Sequence, residues 1–80
     1  MPVRVLDVSE LEAPEPLERV LRALEELPPG HYLRVLHRRE PYLLYPQLDA
    51  RGFRYRSLPG RQRPVEVMIW HAADSPPERL

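Results

Sequence analysis

The chain has no cysteine, no lysine, no asparagine and no threonine, and only three glycines among its eighty residues. Without a thiol, disulfide formation and thiolate catalysis are excluded, and cysteine usage says nothing about redox compartment. Without lysine, Schiff-base chemistry and the lysine of a phosphate-binding loop are excluded as well. No apolar run approaches the roughly 18 residues of a membrane span, and Met1-Pro2-Val3-Arg4 opens no signal peptide, so no membrane contact and a cytoplasmic location are expected. Net charge is also missing. Twelve acidic residues cancel twelve basic ones, which leaves no global field to draw in nucleic acid or an anionic membrane.

What is present in excess is arginine, which supplies every basic residue, and proline, at eleven positions. Proline-rich loops with little asparagine or cysteine suit a thermophile, and a GC-rich genome produces the same bias with no bearing on stability. The hydrophobic fraction of 42% and clear periodic segments indicate a folded chain. One small domain over residues 1–72 is expected, with residues 73–80, polar and proline-containing, as a flexible C-terminal tail.

Val3-Arg4-Val5-Leu6-Asp7-Val8 mixes β-branched and apolar residues and reads as a first strand. Pro14 and Pro16 permit a helix to begin near Glu15, because proline costs least in the first turn. Leu17, Val20, Leu21, Leu24 and Leu27 then form one apolar stripe. Charged residues take the other side, with Glu18 and Arg22 at the spacing of a favourable pair. Pro28-Pro29-Gly30 ends the helix, and Tyr32-Leu33-Arg34-Val35-Leu36-His37 is a second strand. Pro46 lies within Pro41–Arg51, so a short, broken second helix is expected there, such as a tight turn followed by an α segment, with Gly52 as its stop. Phe53 to Leu58 alternates aromatic residues with arginine as a strand with one wet face, and Val65 to Trp70 alternates again as the last strand.

The order β-α-β-α-β-β on so short a chain implies an α/β two-layer sandwich, a four-stranded mixed sheet with two helices on one face. A β-α-β crossover makes the first two strands parallel and brings their carboxyl ends to the amino end of the intervening helix, where open α/β sheets bind ligands. That edge gathers Asp7, Glu10, Glu12 and Ala13 from the first connection and His37, Arg38, Arg39 and Glu40 from the second. If the third strand runs parallel to these, the loop carrying Arg61 and Arg63 joins them.

Three readings of the cluster compete. The helix amino end with Arg38 and Arg39 binds a small anion, a role weakened by Pro14 and Pro16, each of which removes a donor. Alternatively, His37 with Glu40 or Asp7 moves a proton or holds a metal. His31, His37 and His71 share no metal-ligand spacing, so neither metal nor cofactor is expected. In the third reading these are ion-paired surface charges around a structural His37. Arg54 and Arg56 between Phe53 and Tyr55 also suggest an aromatic-basic platform for nucleic acid, which neutral net charge disfavours. Tyr42, Tyr45 and Trp70 read as core before interface, and serines 9, 57 and 75 have no histidine–acid partner.

Leu6-Asp7 followed by Ala13-Pro14-Glu15-Pro16-Leu17 resembles the entry motif of the SirA/TusA-like sulfur carriers, in which a cysteine directly precedes Pro-x-Pro. Ala13 stands in its place, and Glu10 stands where that family commonly has glycine. Arg34-Val35-Leu36-His37-Arg38-Arg39-Glu40-Pro41, Leu44-Tyr45-Pro46-Gln47-Leu48 and Arg51-Gly52-Phe53 are similar to blocks of a TusA-related bacterial group, a domain of unknown function lacking that cysteine. The resemblance implies the SirA/TusA-like fold without sulfur-carrier competence, and a context of hemerythrin-like and nitrogen- or sulfur-metabolism proteins. The expectation is a non-catalytic binding or regulatory module that meets a partner protein or small anion at the edge beside Ala13. A small enzyme using His37 as acid or base, and a weak nucleic-acid-binding domain, are the alternatives.

Overall fold

The computed structural model describes residues 2–78. Six elements follow one another: β1 (Val3–Asp7), α1 (Glu15–Glu25), β2 (Tyr32–His37), α2 (Leu44–Ala50), β3 (Phe53–Pro59) and β4 (Val65–His71). They build the expected two-layer α/β sandwich with a mixed sheet in the order β1-β2-β4-β3. β1 is parallel to β2, while β4 is antiparallel to both β2 and β3. β3 therefore runs in the same direction as β1 and β2, and the β3–β4 loop arrives at the edge where those two strands end.

Register decides the two faces. Leu33 lies opposite Ile69, which lies opposite Tyr55, and Val35–Val67–Ser57 forms the next row. These rows face the helices, and Leu33, Val35, Val67 and Ile69 are each at most 1% exposed against Val20 and Leu24 of α1 and Leu44 and Leu48 of α2. Burying such side chains contributes roughly 1.5–3 kcal/mol each before chain entropy is counted. Tyr32, Met68 and Trp70 form a second, smaller cluster on the far face. The sequence reading of β4 as a simple alternation is thus incomplete, because four consecutive residues, Val67 to Trp70, are buried. A central strand is flanked on both edges and here covered on both faces.

Both helices obey their proline constraints. Pro16 sits in the first turn of α1 and Pro46 in the first turn of α2, where no intrahelical donor is required. α2 is consequently short, a turn at residues 42–43 followed by an α segment as expected, and Pro46 does not interrupt that segment. Gly52 follows it with φ +81°, the left-handed conformation that ends a helix most cheaply in glycine. The outer-face ion pair of α1 is Glu15–Arg19 at 3.8 Å, not the expected Glu18–Arg22. Both of its side chains are more than half exposed, so it adds little stability.

The segment after β4 turns toward the start of the neighbouring strand β2. The Gly30 N–H donates to the Asp74 carboxylate at 2.7 Å and the Tyr32 hydroxyl to the Ser75 carbonyl at 2.8 Å, and Pro77 is buried. Of the segment expected as a flexible tail, residues 73–78 carry these contacts, and Arg79 and Leu80 lie outside the described residues.

Candidate functional site

The carboxyl edge of the sheet carries two separate constellations. The first is a cavity of about 410 Å³ between the two connections that leave β1 and β2. Leu11, Pro14, Leu17 and Val20 wall it on the α1 side, and Pro41, Leu43 and Leu44 on the α2 side. Local sequence explains the space. Pro14 and Pro16 start α1 late, and Pro41 delays α2 until Leu44, so both connections stand away from the sheet end.

Glu12, Ala13, His37, Arg38, Arg39 and Glu40 all line this cavity. His37 is 8% exposed on the helix-side face, and its Nδ1 accepts the Arg39 backbone N–H at 3.3 Å. Burial, followed by the adjacent Arg39 and Arg38 guanidinium groups, holds its pKa below the ordinary 6.5, with Glu40 opposing. The ring is therefore neutral at pH 7, and with Nδ1 accepting, Nε2 carries the proton. His37 can donate a hydrogen bond, but it is not a cation.

The arginines supply the charge. Arg38 reaches Glu12 at 3.6 Å, tying the second connection to the first across the cavity mouth. Arg39 is exposed and has no ion pair among the described residues. Glu40 is turned toward β3, accepting the hydroxyls of Tyr45 and, at 3.0 Å, Ser57. Tyr45 stacks on Tyr55 with ring centroids 4.2 Å apart, and burial together with the Glu40 carboxylate pushes its phenol pKa up. Glu40 is thus engaged away from His37 and does not serve it as an acid–base partner. The α1 amino end contributes few donors, since Pro14 and Pro16 carry none and the Glu15 N–H donates to the Glu12 carbonyl at 2.9 Å.

The second constellation takes Asp7 away from the cavity. Its Oδ1 accepts the Ser9 backbone N–H at 2.9 Å and the Ser9 hydroxyl at 2.6 Å, and its Oδ2 meets Arg63 at 3.3 Å. The Arg63 Nε also donates to the Ser9 hydroxyl oxygen at 2.6 Å. Bonds from Ser9, then the Arg63 charge, hold the Asp7 carboxyl below its usual 3.8. The loop that delivers Arg63 depends on Gly60, where an added Cβ would lie 1.8 Å from the Arg63 carbonyl oxygen. This cluster fastens the β3–β4 loop to the end of β1.

The structure brings six of the seven expected site residues to one cavity and places Asp7 elsewhere; Glu10 is exposed and does not line it. Sequence reasoning missed the apolar walls, whose leucines and prolines carry no chemical signature, and it missed Ser9, which is 4% exposed and shows its role only beside Arg63. Among the described residues no cluster of three or more His, Asp or Glu is placed to hold a metal ion, and no helix is long and apolar enough to cross a membrane.

A family model described as "Uncharacterized conserved protein (DUF2249)" matches residues 5–71. The chain belongs to this family. The match covers all six elements except the first two residues of β1, so the DUF2249 unit is the sandwich with both constellations included. No curated protein and no solved structure matched the chain.

Proposed function

We propose that this DUF2249 domain is a non-catalytic binding module whose ligand is a small organic anion with an apolar body, held in the cavity beside Ala13. The observation that carries this reading is the division of the cavity into apolar walls and a mouth bearing Arg38, Arg39 and a neutral, donating His37. A ligand buries its hydrocarbon against Leu17, Val20 and Leu44, and its charged end meets the guanidinium groups. Catalysis by His37 has less support. The polar group bonded to the ring is the Arg39 backbone N–H, and the neighbouring carboxylate of Glu40 is engaged by Tyr45 and Ser57. On the resemblance of its motifs the domain is SirA/TusA-like in fold, and without cysteine it carries no persulfide.

A second reading has its own observation. Tyr42 and Leu43, at the lip of the cavity, are 74% and 80% exposed, an apolar pair suited to a partner protein that inserts a side chain into the same space. The hemerythrin-like and nitrogen- or sulfur-metabolism proteins suggested by resemblance are the partners to try first.

Thermal unfolding with octanoate and with octanol separates charge from hydrocarbon. Octanoate should raise Tm more than octanol at equal concentration, and Arg38→Ala/Arg39→Ala should erase the difference. Equal shifts from both compounds, or an octanoate shift unchanged in the double variant, would refute anion recognition at this mouth.

A further inference from the structure

The sheet face away from the helices carries a second recognition surface. Its rows, read from the strand register, are Val3–Tyr32–Trp70–Arg54, then Val5–Arg34–Met68–Arg56, then Asp7–Leu36–Glu66–Leu58. The first row is closed at its centre and open at Arg54 on the β3 edge. Tyr32 and Trp70 are 4% and 3% exposed, and the Tyr32–Ser75 hydrogen bond draws the C-terminal segment over that end. The remaining rows form a groove of about 640 Å³ rimmed by Arg34 and Arg61, with Val5 and Leu58 as its open apolar residues and Leu36 and Met68 buried beneath.

Charge on this face is unbalanced although the whole chain is neutral. Arg34, Arg54 and Arg56 project from it, and Arg61 stands on the loop above. Its carboxylates are already engaged. Glu66 meets Arg34 at 3.6 Å and accepts the Arg61 backbone N–H at 2.9 Å, and Asp7 is held by Ser9 and Arg63. Arg54 and Arg56 are exposed and have no ion pair among the described residues. Arg34 and Arg56 sit one strand to either side of Met68 in the same row, so their Cα atoms are about 10 Å apart. That gap admits one extended chain between the two guanidinium groups, with carboxylates reaching an arginine on each side. Arginine and methionine are also residues that protein interfaces favour.

We propose that this groove binds an extended segment of a partner protein in which acidic residues alternate with apolar ones. Charge complementarity selects the acidic side chains, and the open apolar surface of Val5 and Leu58 selects the apolar ones. Single-stranded nucleic acid fits less well. Base stacking needs presented aromatic rings, and both rings of this face, Tyr32 and Trp70, are buried.

Fluorescence anisotropy on the full chain tests this with a short labelled peptide alternating Glu and Leu, its Lys-for-Glu counterpart, and an oligouridylate of matching charge. The acidic peptide should bind and the basic one should not. Arg54→Ala/Arg56→Ala, which removes two exposed side chains without touching the core, should weaken the acidic peptide about tenfold. Added salt should weaken it further, and Arg19→Ala/Arg22→Ala on α1 should leave it unchanged. Equal binding of both peptides, retained affinity in Arg54→Ala/Arg56→Ala, equal loss in the α1 variant, or tighter binding of the oligouridylate would overturn the proposal. Octanoate stabilisation should survive Arg54→Ala/Arg56→Ala, which keeps this surface distinct from the cavity beside Ala13.

Discussion

Leu44→Ala joins stability to ligand binding, because Leu44 belongs both to the core and to the wall of the cavity. The side chain is 2% exposed at the start of α2. Truncating a buried leucine costs the lost transfer free energy and a further amount for the void, in total about 2.7–5 kcal/mol. Here the void opens onto existing space that neighbouring side chains already fail to fill, so we expect about 3 kcal/mol. A chain of eighty residues holds roughly 4–12 kcal/mol in all, which leaves the variant folded at 25 °C. Its Tm should fall by about 15 °C, on the scale of 4–8 °C per kcal/mol for a domain of this size. Urea unfolding followed by circular dichroism should show a lower midpoint with an unchanged slope. The enlarged cavity should then take hydrocarbon more readily. If octanoate buries two more methylenes in the variant, at about 0.8 kcal/mol each, its affinity rises about fifteenfold. A loss of stability below about 1 kcal/mol, or octanoate binding equal to that of the parent, would show that Leu44 does not wall the ligand space.

Two further outcomes concern protonation. The folded pKa of His37 is depressed below 6.5, so in the window beneath 6.5 the unfolded chain binds a proton that the native ring resists. Stability should be fully present above pH 6.5 and decline as pH falls toward the folded value; His37→Gln should flatten that decline in pH-dependent urea melts, and an unaltered slope would refute the assignment. For Asp7, also depressed, stability present above 3.8 is lost as pH falls toward its folded value. In a carboxyl NMR titration, Ser9→Ala should return Asp7 toward 3.8 further than Arg63→Ala does, since the Ser9 hydroxyl bond is the largest single influence on Asp7 and exceeds the Arg63 charge; the reverse order would contradict the geometry.

Much of the fold was legible because short-range periodicity and tertiary burial agree. The stripe from Leu17 to Leu24 faces the sheet as its spacing requires, and Tyr32–His37 is a strand over the expected residues. The second helix was harder to read. Pro46 reads as a break, yet three residues into a helix it removes a donor that the first turn does not use. Burial of Met68 and Trp70 was not legible, because it depends on packing with Tyr32 of another strand, whose hydroxyl in turn bonds Ser75 some forty residues away. The convergence of His37, Arg38, Arg39 and Glu12 near Ala13 followed from the β-α-β crossover alone. The departure of Asp7 did not, because its side chain is claimed by Ser9 and by Arg63 from the far end of the chain.

The absent residues still bound the chemistry, since no folding can supply a thiol or a lysine ammonium to a chain that has none. By itself the sequence determined the element order, the two apolar faces of helix and sheet, and the edge where charged residues collect, because these follow from local periodicity and the handedness of a crossover. Only the tertiary structure decided that β4 lies between β2 and β3, that the edge encloses an apolar cavity, that Glu40 and Asp7 are turned away from His37, and that Arg34, Arg54 and Arg56 share one open face. The physical reason is the same in each case. Strand order, register and the course of the loops set which side chains meet, and those are properties of contacts between distant segments.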